Sequence, residues 1–195
     1  PYSIASDESE EDNTYISYNK VIGTSLDEKL YLAFEILDYA LLSAPGAPLK
    51  KALLDAGIGD DIMGGYEYGI LQPYFSVIAK NAEREQKDEF VKIVKAELKK
   101  LADGGIDKKC LKAGINNYEF QYREADYGST PKGLMYGLQC LDSWLYGGDP
   151  MMHLEYEDTF AALKKGADSG YFEGLIRTYP VSYTHLRAHE TLANL

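Results

Sequence analysis

The sequence predicts an α+β domain in which a small, mostly antiparallel sheet is covered by helices on one face. The elements read β-α-α-β-β and are followed by four to five helices, so strands and helices are segregated along the chain. This order is typical of α+β domains and not of α/β domains, where the two alternate. The 195 residues are 45% hydrophobic and 26% charged, which suffices for one core.

The first half of the chain supplies the strands and two helices. The segment YISYNKVI alternates large and polar side chains, as a half-buried strand does. Ser25 and Glu28 have the spacing of a capping box, which predicts a helix start. Later, β-branched and aromatic residues interrupted by glycines indicate two extended segments. The predicted elements are a strand at 15–22, a helix from about residue 25 to Ser43, a short helix at 49–56, and strands at 62–68 and 74–79 joined near Gly69.

The second half is predicted to be helical because apolar residues recur every three or four positions. Asp107, Thr130-Pro131 and Asp149-Pro150 are interpreted as helix starts, since Asp and Thr cap helices and proline suits the first turn. The predicted helices cover 84–101, the segments after those three starts, and 170–179. One apolar stripe comprises Leu134, Leu138, Leu141 and Leu145.

Composition limits the function classes. With 31 Asp+Glu against 20 Lys+Arg the net charge is −11, which argues against nucleic acid or an anionic membrane as partner. The sequence contains no apolar run long enough for a membrane span. With only two cysteines, we expect no disulfide framework. We therefore expect a cytoplasmic protein. The 17 tyrosines indicate either half-buried helix rims, which we favour, or binding clefts.

The spacing and neighbours of the histidines do not match a metal-binding motif. His153 and Glu157 are four residues apart, but no third ligand is near, so a surface ion pair is the favoured interpretation. His185 and His189 have helical spacing, yet no glutamate lies between them as a zinc-peptidase helix requires. We predict no metal ligand in this chain.

Other reactive side chains are also interpreted structurally. Cys110 and Cys140 are predicted to be small buried hydrophobes. The cluster of Glu119, Arg123 and Glu124 is predicted to be a solvated or salt-bridged helix face. No catalytic residue is therefore predicted.

Several segments together carry a family resemblance. They are LDYALLSAPGAPLKKALLDAGIGDD, YFSVIAKNAE, KKLADGGID, NNYEFQYREAD and WLYGGDPMMHL, in this order. Over residues 15–179 the chain resembles the second, non-zinc domain of the presequence-protease branch of the pitrilysin/insulinase zinc metallopeptidases. The resemblance implies a parent with four α+β domains that enclose a peptide, and zinc bound by a domain outside this chain. It therefore implies a fragment that is inactive alone and whose partners are the peptide substrate and the other domains of its parent.

The resemblance also implies a candidate substrate exosite and the domain limits. In the insulin-degrading relatives a strand of the second domain pairs with the substrate, and its glycine-containing stretch matches Ile62, Met63, Gly64 and Gly65. The alternative is a hairpin that merely turns at Gly64-Gly65. We expect residues 1–14 to be an acidic linker and 180–195 to be foreign to the family.

Two functions remain open from the sequence, and a third, less favoured option is an unrelated helical scaffold with a small sheet. The first is a piece of a zinc metalloendopeptidase that degrades short unfolded or targeting peptides, whose acidic surface favours basic substrates. The second is a non-catalytic interaction domain of a relative whose zinc motif has decayed. An H-x-x-E-H motif upstream in the parent sequence distinguishes the two.

Overall fold

The structure is a computed structural model, and it describes residues 13–181. Within that range, three strands and seven helices confirm the predicted α+β class and element order. None of these helices is long and apolar enough to cross a bilayer. The elements are β1 (Thr14–Val21), α1 (Glu28–Asp38), α2 (Pro48–Asp55), β2 (Asp61–Glu67), β3 (Tyr74–Ala82), α3 (Lys87–Gly104), α4 (Lys108–Glu124), α5 (Lys132–Trp144), α6 (Glu157–Ser169) and α7 (Tyr171–Thr178).

The sheet has the order β1-β3-β2, and both pairings are antiparallel. Its buried face presents alternate residues to the helices, among them Ile16, Ile62, Phe75 and Val77. The opposite face carries exposed residues such as Tyr15 and Met63. The predicted arrangement of helices on one face is thus confirmed, and β2 lies at an edge of the sheet.

Helix α1 runs through the centre of the domain and is buried on nearly all sides. Leu30 to Leu37 are all buried, which is typical of a helix that is enclosed by its neighbours. A π-helical turn, Tyr39–Ser43, extends it to the residue where the sequence predicted its end. Helices α4 and α6 pack against it, whereas α3 packs on α2 and α7. These helices contribute fully buried side chains, including Phe90, Leu111, Phe160 and Phe172.

Three predicted helix starts differ in the structure. The N-cap of α1 is Asp27, whose carboxylate accepts a hydrogen bond from the Leu30 N–H at 2.9 Å, so the capping box at Ser25 is wrong. Ser25 instead donates its N–H to the carbonyl of Leu71, a tertiary bond that holds it outside the helix. Thr130 likewise does not cap α5, because Pro131 is its N-cap. Asp149 caps only a turn, through the Met151 N–H, and α6 begins later.

Helix α5 turns its apolar stripe outward. Leu134 is 54% exposed and Leu145 is 66% exposed, so these two residues of the stripe lie outside the core. The side toward α1 and α4 mixes Met135 and Leu138 with the polar residues Gln139 and Asp142. Gln139 donates to the carbonyl of His153, and the buried Ser143 hydroxyl donates to the carbonyl of Asp149. These hydrogen bonds satisfy polar groups on the inward side of the helix.

Candidate functional site

The predicted exosite residues all lie on the edge strand β2. Ile62 points into the core, whereas Met63 is 42% exposed on the open face of the sheet. Gly64 pairs with Val77 and Gly65 pairs with Ser76 in the ladder with β3. The strand continues to Glu67, so the alternative of a hairpin turn at Gly64-Gly65 is wrong. The connection to β3 lies at residues 68–73, near the predicted Gly69.

Gly64 is required by a close approach within the sheet itself. A Cβ at this position would lie 2.1 Å from the Ser76 carbonyl oxygen and 3.0 Å from a methyl carbon of Leu42. Gly65 differs, because a Cβ there would meet nothing within 4 Å. Only the first of the two glycines is therefore explained by internal packing, and the backbone that approaches it belongs to β3.

A groove of about 540 Å³ runs along the outer edge of β2. One side is formed by Ile62, Met63 and Gly64, and the other by the turn at residues 42–46. An ion pair of 2.8 Å between Lys50 Nζ and Asp61 Oδ1 lies at one end. Among residues 13–181 no further strand pairs with this edge.

The main-chain groups that face the groove follow from the hydrogen-bond alternation of antiparallel strands. The Ile22 N–H donates to the Pro73 carbonyl at 2.7 Å, and the Asp60 N–H donates to the Lys80 carbonyl at 2.9 Å. The N–H and C=O groups of odd-numbered β3 residues therefore point toward β1, and those of even-numbered residues point toward β2. Since Gly65 pairs with Ser76, its N–H points to β3, and the N–H of Gly64 points away from the sheet. The edge thus presents unpaired donors and acceptors to an added strand.

His153 is a buried structural residue. Its Nε2 lies 2.9 Å from the Ser25 carbonyl oxygen, and its ring stacks on Tyr31 at a centroid distance of 4.0 Å. Burial lowers the pKa of this imidazole, with the Ser25 bond opposing the shift. It precedes α6, which starts at Glu157, so the two residues do not share a helix face and the predicted surface ion pair is wrong.

The described residues do not fit zinc. No group of three potential ligands comes together within residues 13–181. His185 and His189 lie outside the described residues, as do most of the predicted linker and tail.

The charged cluster on α4 has the predicted salt-bridged arrangement. Arg123 pairs with Glu119 at 2.9 Å, and Lys164 pairs with the same carboxylate at 2.6 Å. Cys110 and Cys140 are free thiols of intermediate exposure, so they are only partly the buried hydrophobes that were predicted. Burial raises the pKa of the Cys110 thiol, which does not suit a nucleophile.

A second concave feature was missed by sequence reasoning. A cavity of about 280 Å³ lies between α1, α4, α5 and the segment after β2, and its walls include Glu35 and Asp142. The available signal was Glu35 itself, a lone carboxylate in the otherwise apolar run LYLAFEIL. A helical segment that is apolar on all sides is buried, and the one acid within it is then expected to be buried as well.

The comparisons with known proteins identify the family of the domain. A family model described as the peptidase M16 inactive domain matches residues 3–118. The chain belongs to the peptidase M16 family, as an inactive domain. The crystal structure of the inactive peptidase domain of a protein described as a zinc protease, from Bordetella parapertussis, superposes with a TM-score of 0.69 over 87% of each chain. At 11% identity that likeness concerns the fold alone.

Curated relatives of this M16 domain are much longer than the chain. Protein HypA of Clostridium perfringens is 47% identical over 94% of this chain, which covers 19% of that relative. Presequence protease 1, chloroplastic/mitochondrial, of Arabidopsis thaliana is 36% identical over 71% of this chain and 13% of its own length. The chain therefore spans less than a fifth of these relatives.

Proposed function

We propose that this domain serves a larger zinc metalloendopeptidase that degrades short unfolded or targeting peptides. In that enzyme the domain is a non-catalytic wall of the peptide chamber, and its β2 edge pairs with the substrate. The zinc ion and the catalytic residues belong to another domain of the parent, and the chain alone has no peptidase activity. The cytoplasmic location expected from composition is part of the same proposal.

The single observation that carries the proposal is the open edge of β2. An extended peptide binds such an edge through main-chain hydrogen bonds, largely independently of its sequence. The groove between Ile62–Gly64 and residues 42–46 gives room for its side chains. This mode of binding suits an enzyme that degrades many unrelated peptides, because the main chain is common to all of them.

The outward stripe of α5 supports the presence of neighbouring domains. Leu134 is 54% exposed and Leu145 is 66% exposed, and both Trp144 and Phe120 are 63% exposed. Exposed apolar patches of this kind mark interfaces. The match to under a fifth of the relatives' length leaves ample chain to cover the patch, and we assign it to another domain of the same parent.

Hydrogen exchange of two adjacent amides tests the exosite. The probe is an unstructured basic peptide of about ten residues, which is long enough to span one strand. At saturating peptide, exchange of the outward Gly64 amide is expected to slow at least about tenfold, because it gains a hydrogen bond. The Gly65 amide already faces Ser76 and serves as the internal control, and the Ser17 amide reports on the opposite sheet edge.

Binding of the peptide without protection of Gly64 would overturn the exosite, as would protection confined to β1. The wider function is tested separately on the parent sequence. An H-x-x-E-H motif followed by a distant glutamate, upstream of this domain, is the expected finding. A parent without that motif would favour the second candidate, a non-catalytic peptide- or protein-interaction domain. Zinc-dependent peptide cleavage by the 195-residue chain itself would refute the assignment of catalysis to another domain.

A further inference from the structure

Five tyrosines line the cavity between α1, α4 and α5. Their rings come from three separate parts of the chain, and Tyr31 lies 5.0 Å from Tyr68 between ring centroids. Burial raises the pKa of the Tyr68 phenol to about 12, so this wall is neutral at physiological pH. Neutral aromatic faces attract cations. The five are Tyr31, Tyr68, Tyr118, Tyr122 and Tyr127.

Two carboxylates lie in this aromatic wall. Glu35 is only 7% exposed, and its Oε2 accepts a hydrogen bond from the Tyr122 hydroxyl at 3.2 Å. Its other oxygen has no hydrogen-bond partner among the described residues. Asp142 Oδ2 accepts from the Tyr31 hydroxyl at 2.8 Å, across the cavity wall from α5 to α1.

No positive charge compensates these carboxylates. Within residues 13–181 no Lys, Arg or His lines the cavity. A buried carboxylate without a cationic partner is unfavourable, and protein interiors normally pair it. The cavity therefore combines a buried acid with one oxygen that accepts no hydrogen bond from the described residues, a second acid and neutral tyrosines, and none of its described lining residues is a cation.

We propose that this cavity binds an organic cation of the size and shape of an arginine or lysine side chain. The carboxylates of Glu35 and Asp142 accept hydrogen bonds from the cation, and the tyrosine rings enclose its charge. A guanidinium suits the site best, because its several donors can reach acceptors on different walls. The proposal concerns this chain by itself and does not depend on the peptidase role of its parent.

Binding should be coupled to proton release. Burial is the main cause that raises the pKa of Glu35 to about 8, and the charges of Asp38 and Asp142 add to it. The titratable groups that face Glu35 from its neighbours are Tyr31 and Asp38 on α1, Tyr66 and Tyr68 at β2, Tyr118 and Tyr122 on α4, and Asp142 on α5. The empty site holds a proton at neutral pH, and a cation displaces it.

A matched ligand pair tests the charge requirement. Nα-acetyl-arginine amide and Nα-acetyl-citrulline amide have nearly the same shape, but the citrulline side chain is neutral. In calorimetric titrations at pH 8 the arginine probe is expected to bind at least about tenfold more tightly. Its dissociation constant should rise at least about tenfold between pH 8 and pH 6, because Glu35 must first lose its proton.

Three variants test whether the arginine probe binds in this cavity. Glu35→Gln retains the side-chain shape, and it should weaken the arginine probe about tenfold and abolish the pH dependence. Asp142→Asn lies at the half-buried mouth and should weaken binding several-fold. Asp55→Asn removes the same charge from the exposed end of α2 and should leave binding unchanged. Equal binding of the two probes, or equal effects of Asp55→Asn and Asp142→Asn, would overturn the proposal, and so would the absence of arginine binding.

Discussion

Substitution of Glu35 by glutamine should change the pH dependence of stability. The folded state raises the pKa of Glu35 from 4.5 to about 8, chiefly because the side chain is removed from water. Between these values the folded protein holds a proton that the unfolded chain has lost. Stability contributed by this group is therefore complete below pH 4.5 and is lost as the pH rises toward 8. Glutamine does not ionise, so the variant lacks this contribution to the slope.

The expected magnitude follows from the size of the shift. Each pH unit in this window lowers the unfolding free energy by up to about 1.4 kcal/mol. The slope decreases near pH 8, where the folded protein begins to lose the proton, so the total for Glu35 between pH 6 and pH 8 is about 2 kcal/mol. Asp38 has its pKa raised only to about 6, so its titration overlaps only the lower part of this range. Both Asp38 and His153 are retained in the variant, so their effects cancel in the comparison.

Urea unfolding followed by far-ultraviolet circular dichroism provides the assay. Trp144, the single tryptophan, is too exposed to report reliably on the core. From pH 6 to pH 8 the wild-type protein should lose about 2 kcal/mol more unfolding free energy than Glu35→Gln. Asp55→Asn should follow the wild type. The same pH dependence in wild type and Glu35→Gln would refute the reasoning, since Glu35 would then ionise as it does in water.

The remaining predictions concern packing. Phe90→Ala removes a fully buried ring from α3 and should cost about 3–5 kcal/mol of unfolding free energy, measured by the same denaturation. Gly64→Ala places a methyl group against the Ser76 carbonyl and should cost more than about 2 kcal/mol, whereas Gly65→Ala should change stability by no more than about 1 kcal/mol. Equal costs at the two glycines would contradict the close approach at β2. Leu145→Ser should alter stability by less than about 0.5 kcal/mol while reducing aggregation measured by light scattering.

Much of the fold could be predicted because its signals are local. The alternation in YISYNKVI and the apolar stripes of α1, α3 and α4 depend on residues a few positions apart, and these elements formed where the sequence indicated. Asp107 also caps α4 as predicted, accepting a bond from the Lys109 N–H. The stripe of α5 was equally local, yet it faces solvent, because periodicity shows that a helix has an apolar side and not which side its neighbours cover.

The two candidate sites also differ in how far the sequence could predict them. Ile62 to Gly65 could be placed on a strand from sequence, but their position at an edge depends on the order β1-β3-β2, in which the third of the three described strands lies in the middle. The cavity could not be predicted at all, apart from the warning that Glu35 is a lone acid in an apolar helix. Its hydrogen bond between Tyr31 and Asp142 joins residues 111 positions apart.

The sequence by itself determined the kind and order of the elements, the absence of a catalytic motif and the family resemblance. Backbone geometry repeats every two or 3.6 residues, so a linear pattern suffices for these features. Only the tertiary structure decided which tyrosines converge, that Glu35 is buried without a cation, and that α5 presents its leucines to solvent. These properties arise from packing between segments that are distant in sequence. Burial and hydrogen bonding there depend on several helices together, whereas a sequence pattern reports on one helix at a time.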